Sequence, residues 1–155
     1  MTDFPHLSET GDVHMVDVGG KDETDRIAVA ECVVTMADVT AAALFGGGLP
    51  KGDALASVRL AGIMGAKHTP DLIPLCHPIA ITGIEVVVEQ VAAGARIEAT
   101  VRTTGKTGVE MEAMTAVSVA ALALYDMVKG VERGVEISSV RLLSKSGGES
   151  GTWTR

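Results

Sequence analysis

The sequence has few of the residues that mark secreted, nucleic-acid-binding or membrane proteins. Two cysteines, Cys32 and Cys76, are too few for a disulfide framework and suit a reducing compartment. Thirteen basic against twenty acidic side chains give a formal charge of −7, which argues against a broad basic face for nucleic acid. The longest uncharged run, 113–125, is shorter than the roughly 20 residues that span a bilayer. Because no basic-then-apolar leader opens the chain either, we expect a soluble, cytoplasmic protein.

Aromatic residues are equally scarce, with two Phe, one Tyr and one Trp in 155 residues. Since 46% of the residues are hydrophobic, small and branched aliphatic side chains must fill the core. The length suits one domain over 1–155. We expect a loose N-terminal arm at 1–20 and a flexible, Gly-rich tail at 144–155.

The remaining pattern predicts an α+β fold. The predicted elements are a strand at 26–34, a short helix from Thr35 to the glycines at 46–48, a helix at 53–67, a hairpin of 81–91 and 96–103, a long helix at 107–130, and a strand at 136–143. Thr35 with Asp38, and Thr107 with Glu110, have capping-box spacing, and Gly130 suits a C′ position. This order predicts a ferredoxin-like β-α-β-β-α-β antiparallel sheet with helices on one face.

The long helix also predicts an assembly. A helix that is uncharged for thirteen residues, 113–125, is too apolar for one with a face in water. A domain with helices on a single face cannot cover it on every side. We therefore expect a homo-oligomer.

The most unusual local sequence is DLIPLCHPI at 71–79. Pro74 and Pro78 fix two backbone dihedrals and remove two amide donors, so the segment is neither an ordinary helix nor a central strand. Cys76 and His77 between them could be metal ligands, a nucleophile with its base, buried structural residues, or recognition groups on a rigid loop. Metal-ligand spacing is absent, and neighbours in extended chain point apart, so the last two interpretations are favoured.

Three charged positions are candidates for chemistry. Lys51 lies in a Gly- and Pro-rich loop just before Asp53, a good N-cap, and is either a solvated lysine or an acid/base and anion-binding group. Asp126 lies in the last helical turn, where the helix dipole disfavours a carboxylate, and either forms a surface ion pair with Lys129 or acts with it as an acid/base pair.

Glu112, in contrast, stands near the helix start, where negative charge is stabilised. Glu112 and Asp126 are fourteen residues apart, about 21 Å along a helix. One compact site from a single chain therefore does not use both. The segment SKSGGESG at 144–151 could wrap an anion in backbone amides, or be a plain flexible tail.

Taken together, the blocks HMVDVGGKDETDR (14–26), KGDALASVRLAGIMGAK (51–67), DLIPLCHPI (71–79), TGKTGVEMEAMTAVSVAALALYDMVK (104–129) and VRLLSKSGGESG (140–151) closely resemble the MoaC family of molybdenum-cofactor biosynthesis. The likeness runs from about residue 13 to 151. It implies a lyase that rearranges 3′,8-cyclo-7,8-dihydro-GTP to cyclic pyranopterin monophosphate and releases diphosphate. It implies no metal or organic cofactor, and a homohexamer, a trimer of dimers with the active site at the dimer interface.

The resemblance also implies roles for individual residues. The family's catalytic aspartate and the lysine three residues on match Asp126 and Lys129, and the lysine of its KGD loop matches Lys51. The family's substrate-contacting segments match Leu75, Cys76 and His77 in the proline loop, and Met111 with Glu112 in the long helix. A further basic residue of the family's pocket matches Lys145. We expect Asp126, Lys129 and Lys51 to transfer protons while lysines stabilise charge on the phosphates.

Two hypotheses follow. In the first, two copies enclose one nucleotide, with Lys51 of one copy facing Asp126 of the other. The rival is a non-catalytic, ferredoxin-like module that binds GTP-like metabolites and releases no diphosphate.

Overall fold

Residues 10–155, which the structure (a computed structural model) describes, form a five-stranded antiparallel sheet with strand order β2-β3-β1-β4-β5 and helices packed on it. The elements in chain order are β1 (Thr24–Thr35), α1 (Asp38–Phe45), α2 (Ala54–Lys67), α3 (Thr69–Leu72), β2 (Ile81–Val91), β3 (Gly94–Gly105), α4 (Glu110–Val128), β4 (Glu136–Ser146) and β5 (Trp153–Thr154). Strand β3 lies between β1 and β2, and β4 pairs with the other edge of β1, so the predicted ferredoxin-like α+β fold is confirmed.

Alternation along the central strands separates the two faces of the sheet. Ala28, Ala30, Cys32 and Val34 of β1 are fully buried beneath the helices, as are their counterparts on β3. The opposite face carries charged residues instead. There Glu31 accepts hydrogen bonds from Arg96 (Nε to Oε2, 2.6 Å) and Arg141 (Nη2 to Oε1, 2.6 Å), which keep its carboxylate almost entirely buried.

Two glycines let α2 approach α4 closely. A Cβ at Gly65 would lie 2.8 Å from the Val119 Cβ, and one at Gly62 would lie 3.2 Å from the Ala120 Cβ. The later residue of α2, Gly65, faces the earlier residue of α4, Val119, whereas Gly62 faces Ala120. The helices therefore run antiparallel. The start of α2 therefore lies beside the end of α4, which decides where Lys51 goes.

Two of the predicted helix caps are wrong. Thr35 ends β1 and α1 begins only at Asp38, after an Ala37 N-cap that makes no side-chain bond. Helix α4 begins at Glu110 behind Val109, whose apolar side chain cannot cap the helix, and the Glu110 carboxylate is bound by Lys145. The Asp53 cap is confirmed, since the Ala56 amide donates to its Oδ1 at 3.0 Å.

The C-terminal segment carries more strand than the sequence indicated. Strand β4 runs on through Ser146, and Trp153–Thr154 return to pair with Lys145 and Ser144. The stretch between them turns through Gly147 and Gly148, whose φ angles of 98° and 72° favour glycine. The predicted arm at 1–20 falls partly on residues 1–9, which lie outside the described residues.

Helix α4 is the central helix of the fold. By length and composition it could cross a membrane, and half of its apolar window is buried within the protein. Its uncovered side still exposes Leu122 (61%) and Met111 (39%), and the neighbouring surface of α2 exposes Leu60 (62%). The expected excess of apolar surface on α4 is therefore present.

Candidate functional site

A cavity of about 500 Å³ opens where the start of α4 meets the proline loop 71–79 and the end of β4. All six residues for which the family resemblance implies substrate contact line it: Leu75, Cys76, His77, Met111, Glu112 and Lys145. They come from three segments far apart in sequence. The volume lies within the range of about 300–1,000 Å³ that is usual for small-molecule sites.

Hydrogen bonds to two backbone carbonyl groups hold the proline loop in place. The Cys76 amide donates to the Ile73 carbonyl at 3.1 Å, and His77 Nε2 lies 2.8 Å from the Val16 carbonyl oxygen. Because a carbonyl only accepts, Nε2 is the donor in this bond. Burial, with the nearby Glu112 charge, raises the pKa of the Cys76 thiol, so near neutral pH it is a thiol and not a thiolate nucleophile.

Glu112 is the most unusual group in the cavity. Its side chain is 2% exposed, and it also lines a second cavity of about 370 Å³ between α2 and β2. Burial raises its pKa to about 7, its own backbone hydrogen bond opposes this, and the charge of Glu110 adds to it. Glu112 can therefore both give and take a proton near neutral pH.

Four cationic side chains surround the same cavity: Lys21, Arg26, Lys106 and Lys145. Arg26 is fixed by donating from Nε to the Gly105 carbonyl at 2.9 Å, and Lys106 Nζ donates to the Gly19 carbonyl at 2.6 Å. These four cations outnumber the two carboxyl groups of the cavity, Glu110 and Glu112, so the cavity is positive within a protein of net charge −7. Such a cavity suits a polyanion.

The Gly-rich segment after β4 forms part of the cavity wall next to these cationic side chains. Ser146, Gly147 and Ser150 line the cavity. A side chain at Gly147 would collide with the Asp25 carbonyl oxygen, and one at Gly148 would collide with the Arg26 guanidinium. Two successive glycines in the left-handed region therefore let the backbone lie directly against the guanidinium. The anion-binding interpretation of SKSGGESG is favoured by this placement.

A second cluster lies at the other end of α4 and contains the three predicted catalytic residues. Lys51 Nζ is 2.7 Å from Asp126 Oδ2, and Lys129 Nζ is 2.6 Å from Oδ1. Hydrogen bonds from Lys129 and then Lys51 lower the pKa of Asp126 to about 2, and Asp126 in turn raises that of Lys129. Asp126 thus stays ionised, and Lys129 stays an ammonium ion, over the working pH range.

The expectation that Lys51 of one copy faces Asp126 of another is wrong, since the two form an ion pair within one chain. The antiparallel packing of α2 on α4 is the cause, because it lays the loop before α2 against the last turn of α4. A single chain does, however, hold the two clusters far apart. Glu112 and Asp126 are fourteen residues apart on a continuous helix, about 21 Å.

Four charged cavity residues were missed from the sequence: Lys21, Arg26, Lys106 and Glu110. The first three lie in polar stretches where a solvated side chain is the ordinary expectation. Glu110 seemed to be explained by a capping box that does not form. The signal that could have found them is their place inside the long blocks of family resemblance. Among residues 10–155, no three His, Cys, Asp or Glu side chains are grouped so that they could hold a metal ion.

Comparison with known proteins identifies the family of this chain. The model of the MoaC family matches residues 15–148. Proteins named cyclic pyranopterin monophosphate synthase are similar over nearly the whole chain: that of Roseiflexus castenholzii is 59% identical over 97% of both chains, and that of Corynebacterium glutamicum strain R is 56% identical over 99% of both. That of Streptomyces coelicolor is 56% identical over 97% of this chain and 88% of its own. The chain belongs to the MoaC family.

Proposed function

We propose that the protein is a cyclic pyranopterin monophosphate synthase, a lyase that converts 3′,8-cyclo-7,8-dihydro-GTP to cyclic pyranopterin monophosphate and diphosphate in molybdenum-cofactor biosynthesis. The observation that carries the proposal is the cavity wall of Lys21, Arg26, Lys106 and Lys145 on an acidic protein. A triphosphate needs local cations of this kind. The name carried by relatives at 52–59% identity supports the same activity.

The cavity residues bind and orient the substrate. The rigid proline loop with Leu75, Cys76 and His77, together with Met111 and Glu112, holds the guanine-derived ring, since the prolines reduce the entropy lost on binding. Lys145 and its cationic neighbours hold the phosphates. As a sugar hydroxyl attacks the α-phosphorus, its proton passes to water and the bond to the diphosphate breaks. These cations stabilise the charge on the departing diphosphate.

The Asp126 cluster supplies the catalytic ammonium groups. Asp126 holds Lys51 and Lys129 through both of its oxygens and keeps Lys129 protonated. A proton given by one lysine to a ring nitrogen lets the purine-derived ring open, and the lysine is then reprotonated as the new ring closes. In the free enzyme Asp126 is too weak a base to take a proton itself, so its part is to place the lysines.

The two clusters meet only if a second copy joins them. Met111, Ser118, Leu122 and Asp126 lie within about 80° of one another on the uncovered side of α4. If two copies pack this side antiparallel about a two-fold axis, the Asp126 end of each lies over the Glu112 end of its partner. The exposed Leu122 would be covered about one helical turn from the axis. Each dimer would then hold two sites, each built from both chains.

Three further features belong to the proposal: one domain over 1–155, a homohexamer built as a trimer of dimers, and a cytoplasmic location. The uncovered sheet face around Glu31 supports the larger assembly, because it offers a second surface apart from α4. Light scattering on purified protein should give six times the chain mass of 16.0 kDa.

The activity is tested by incubating Lys51→Ala and Asp126→Asn with the cyclic dihydro-GTP substrate. We expect wild type to release diphosphate and both variants to lose nearly all of this activity. A wild-type protein that binds the substrate but releases no diphosphate would instead support the rival metabolite-binding module. Near-wild-type product formation by either variant would remove that residue from the mechanism.

The shared site is tested by mixing two inactive variants, Asp126→Asn and Glu112→Ala, after unfolding and refolding them together. With isologous dimers, half are mixed and each mixed dimer holds one intact site, so about a quarter of wild-type activity should return. Each variant refolded alone is the control. If each site is complete within one chain, no activity returns.

A further inference from the structure

Glu110 is an acidic residue in the wall of a cavity that otherwise gathers cations. Its Oε1 accepts a hydrogen bond from Lys145 Nζ at 2.8 Å, and the same ammonium group donates to Ser150 Oγ at 3.2 Å. The side chains of both partners are less than a third exposed. A carboxylate facing a bound triphosphate would weaken binding, so its presence there needs a separate reason.

The local sequence makes room for this conformation. Glycine stands at position 108, and a side chain on it would collide with the Glu110 carboxylate. Gly108 has no positive φ and no turn that demands glycine. The space that a side chain would fill is occupied by Glu110 folded back toward β4. Gly108, Glu110 and Lys145 therefore form one packed unit.

We propose that Glu110 is a positioning residue, which holds the Lys145 ammonium group at the cavity wall in the place where it meets the reacting phosphates. The inference rests on the proposed function and deepens it. A free lysine side chain samples many rotamers, and the bonds to Glu110 and Ser150 select one before substrate arrives. Both partners stand on regular elements, Glu110 on α4 and Lys145 on β4, so the position is rigid.

The proposal predicts that Glu110 acts only through Lys145. In steady-state assays with the cyclic dihydro-GTP substrate, Glu110→Ala should lower kcat about tenfold or more, as misplacement of a catalytic group does, with KM changed by less than about threefold. Lys145→Ala should lower kcat/KM further. The double variant should then be no worse than Lys145→Ala alone, within about twofold, because the second change removes nothing that is still in use.

Other variants keep the test decisive if Glu110→Ala folds poorly. Glu110→Gln keeps the shape and an acceptor oxygen, so it should retain more activity than Glu110→Ala. Gly108→Ala displaces the carboxylate without removing it, and should resemble Glu110→Ala in kcat. The control is Glu136→Gln, which removes an exposed carboxylate from the far end of the same strand as Lys145, and should have wild-type kinetics.

The outcomes separate the two proposals. If wild type makes no product, the proposed function fails. If wild type is active but the losses from Glu110→Ala and Lys145→Ala multiply in the double variant, Glu110 acts independently of Lys145 and the inference is overturned. A fall in KM with unchanged kcat in Glu110→Ala also overturns it, because Glu110 would then act only by repelling the substrate.

Discussion

The buried carboxyl group of Glu112 should make the protein less stable as pH rises through neutrality. The folded state keeps the Glu112 proton up to about pH 7, whereas the unfolded chain releases it near the ordinary value of 4.5. Between these values the folded state binds more protons, so the free energy of unfolding falls with rising pH. The difference of 2.5 in pKa corresponds to about 3 kcal/mol, at 1.36 kcal/mol for each pH unit.

Glu112→Gln removes this cost, because a neutral amide of nearly the same shape does not ionise. We expect the free energy of unfolding of the variant to rise relative to that of wild type by about 3 kcal/mol as pH is raised from about 4 to about 9. Urea unfolding followed by circular dichroism measures the difference at each pH. Protein concentration must be held fixed because assembly adds to apparent stability.

Other ionisable groups line the two cavities that meet at Glu112: Lys21, Arg26, Lys67, Cys76, His77, Lys106, Glu110 and Lys145. They are present in both proteins, so their own titration largely cancels in the difference. Glu85→Gln, an exposed carboxylate on β2, is the control and should give a difference that does not vary with pH. A flat difference for Glu112→Gln as well would show that Glu112 titrates like an exposed glutamate, and the account of its burial would be refuted.

Two further predictions concern the rest of the fold. Glu31→Gln leaves Arg96 and Arg141 without their shared carboxylate and should cost about 3–5 kcal/mol by urea unfolding. Burial alone would raise the pKa of Glu31, but the two arginines outweigh it and lower the pKa. Its contribution is therefore present above about pH 4.5 and is lost as pH falls further; equal acid sensitivity of variant and wild type would contradict this. Gly65→Ala should cost about 1–3 kcal/mol because the new methyl group overlaps Val119, whereas Gly130→Ala, with nothing within 4 Å, should be nearly neutral; equal losses would argue against close helix packing.

Much of the fold followed from periodicity, because the strands and the long helix bury regular sets of small aliphatic residues. The hairpin shows this well: 81–91 and 96–103 were predicted, and β2 and β3 occupy Ile81–Val91 and Gly94–Gly105. Helix starts were less predictable, because a capping box describes bonds within one segment. At Glu110 a bond to Lys145, 35 residues away, replaced the local one.

The candidate site likewise contains some residues that the sequence indicated and others that it did not. The proline loop and the end of α4 stood out because their residues conflict with ordinary local preference. Lys21, Arg26 and Lys106 conflict with nothing locally and matter only because the fold gathers them around one cavity. The position of Lys51 beside Asp126 depended on the direction in which α2 crosses α4, which no local pattern specifies.

Because α2 and α4 contact each other closely at Gly62 and Gly65, a tilt of α2 against α4 would use this contact as its pivot. Lys51 lies eleven residues before Gly62, a reach of about 16 Å if the rise is helical. Tilting α2 by about 5° would therefore carry the lysine through more than about 1 Å, enough to break its 2.7 Å bond to Asp126. Substitutions at the pivot, remote from any ligand, would change the distance between the two charges on which proton transfer depends.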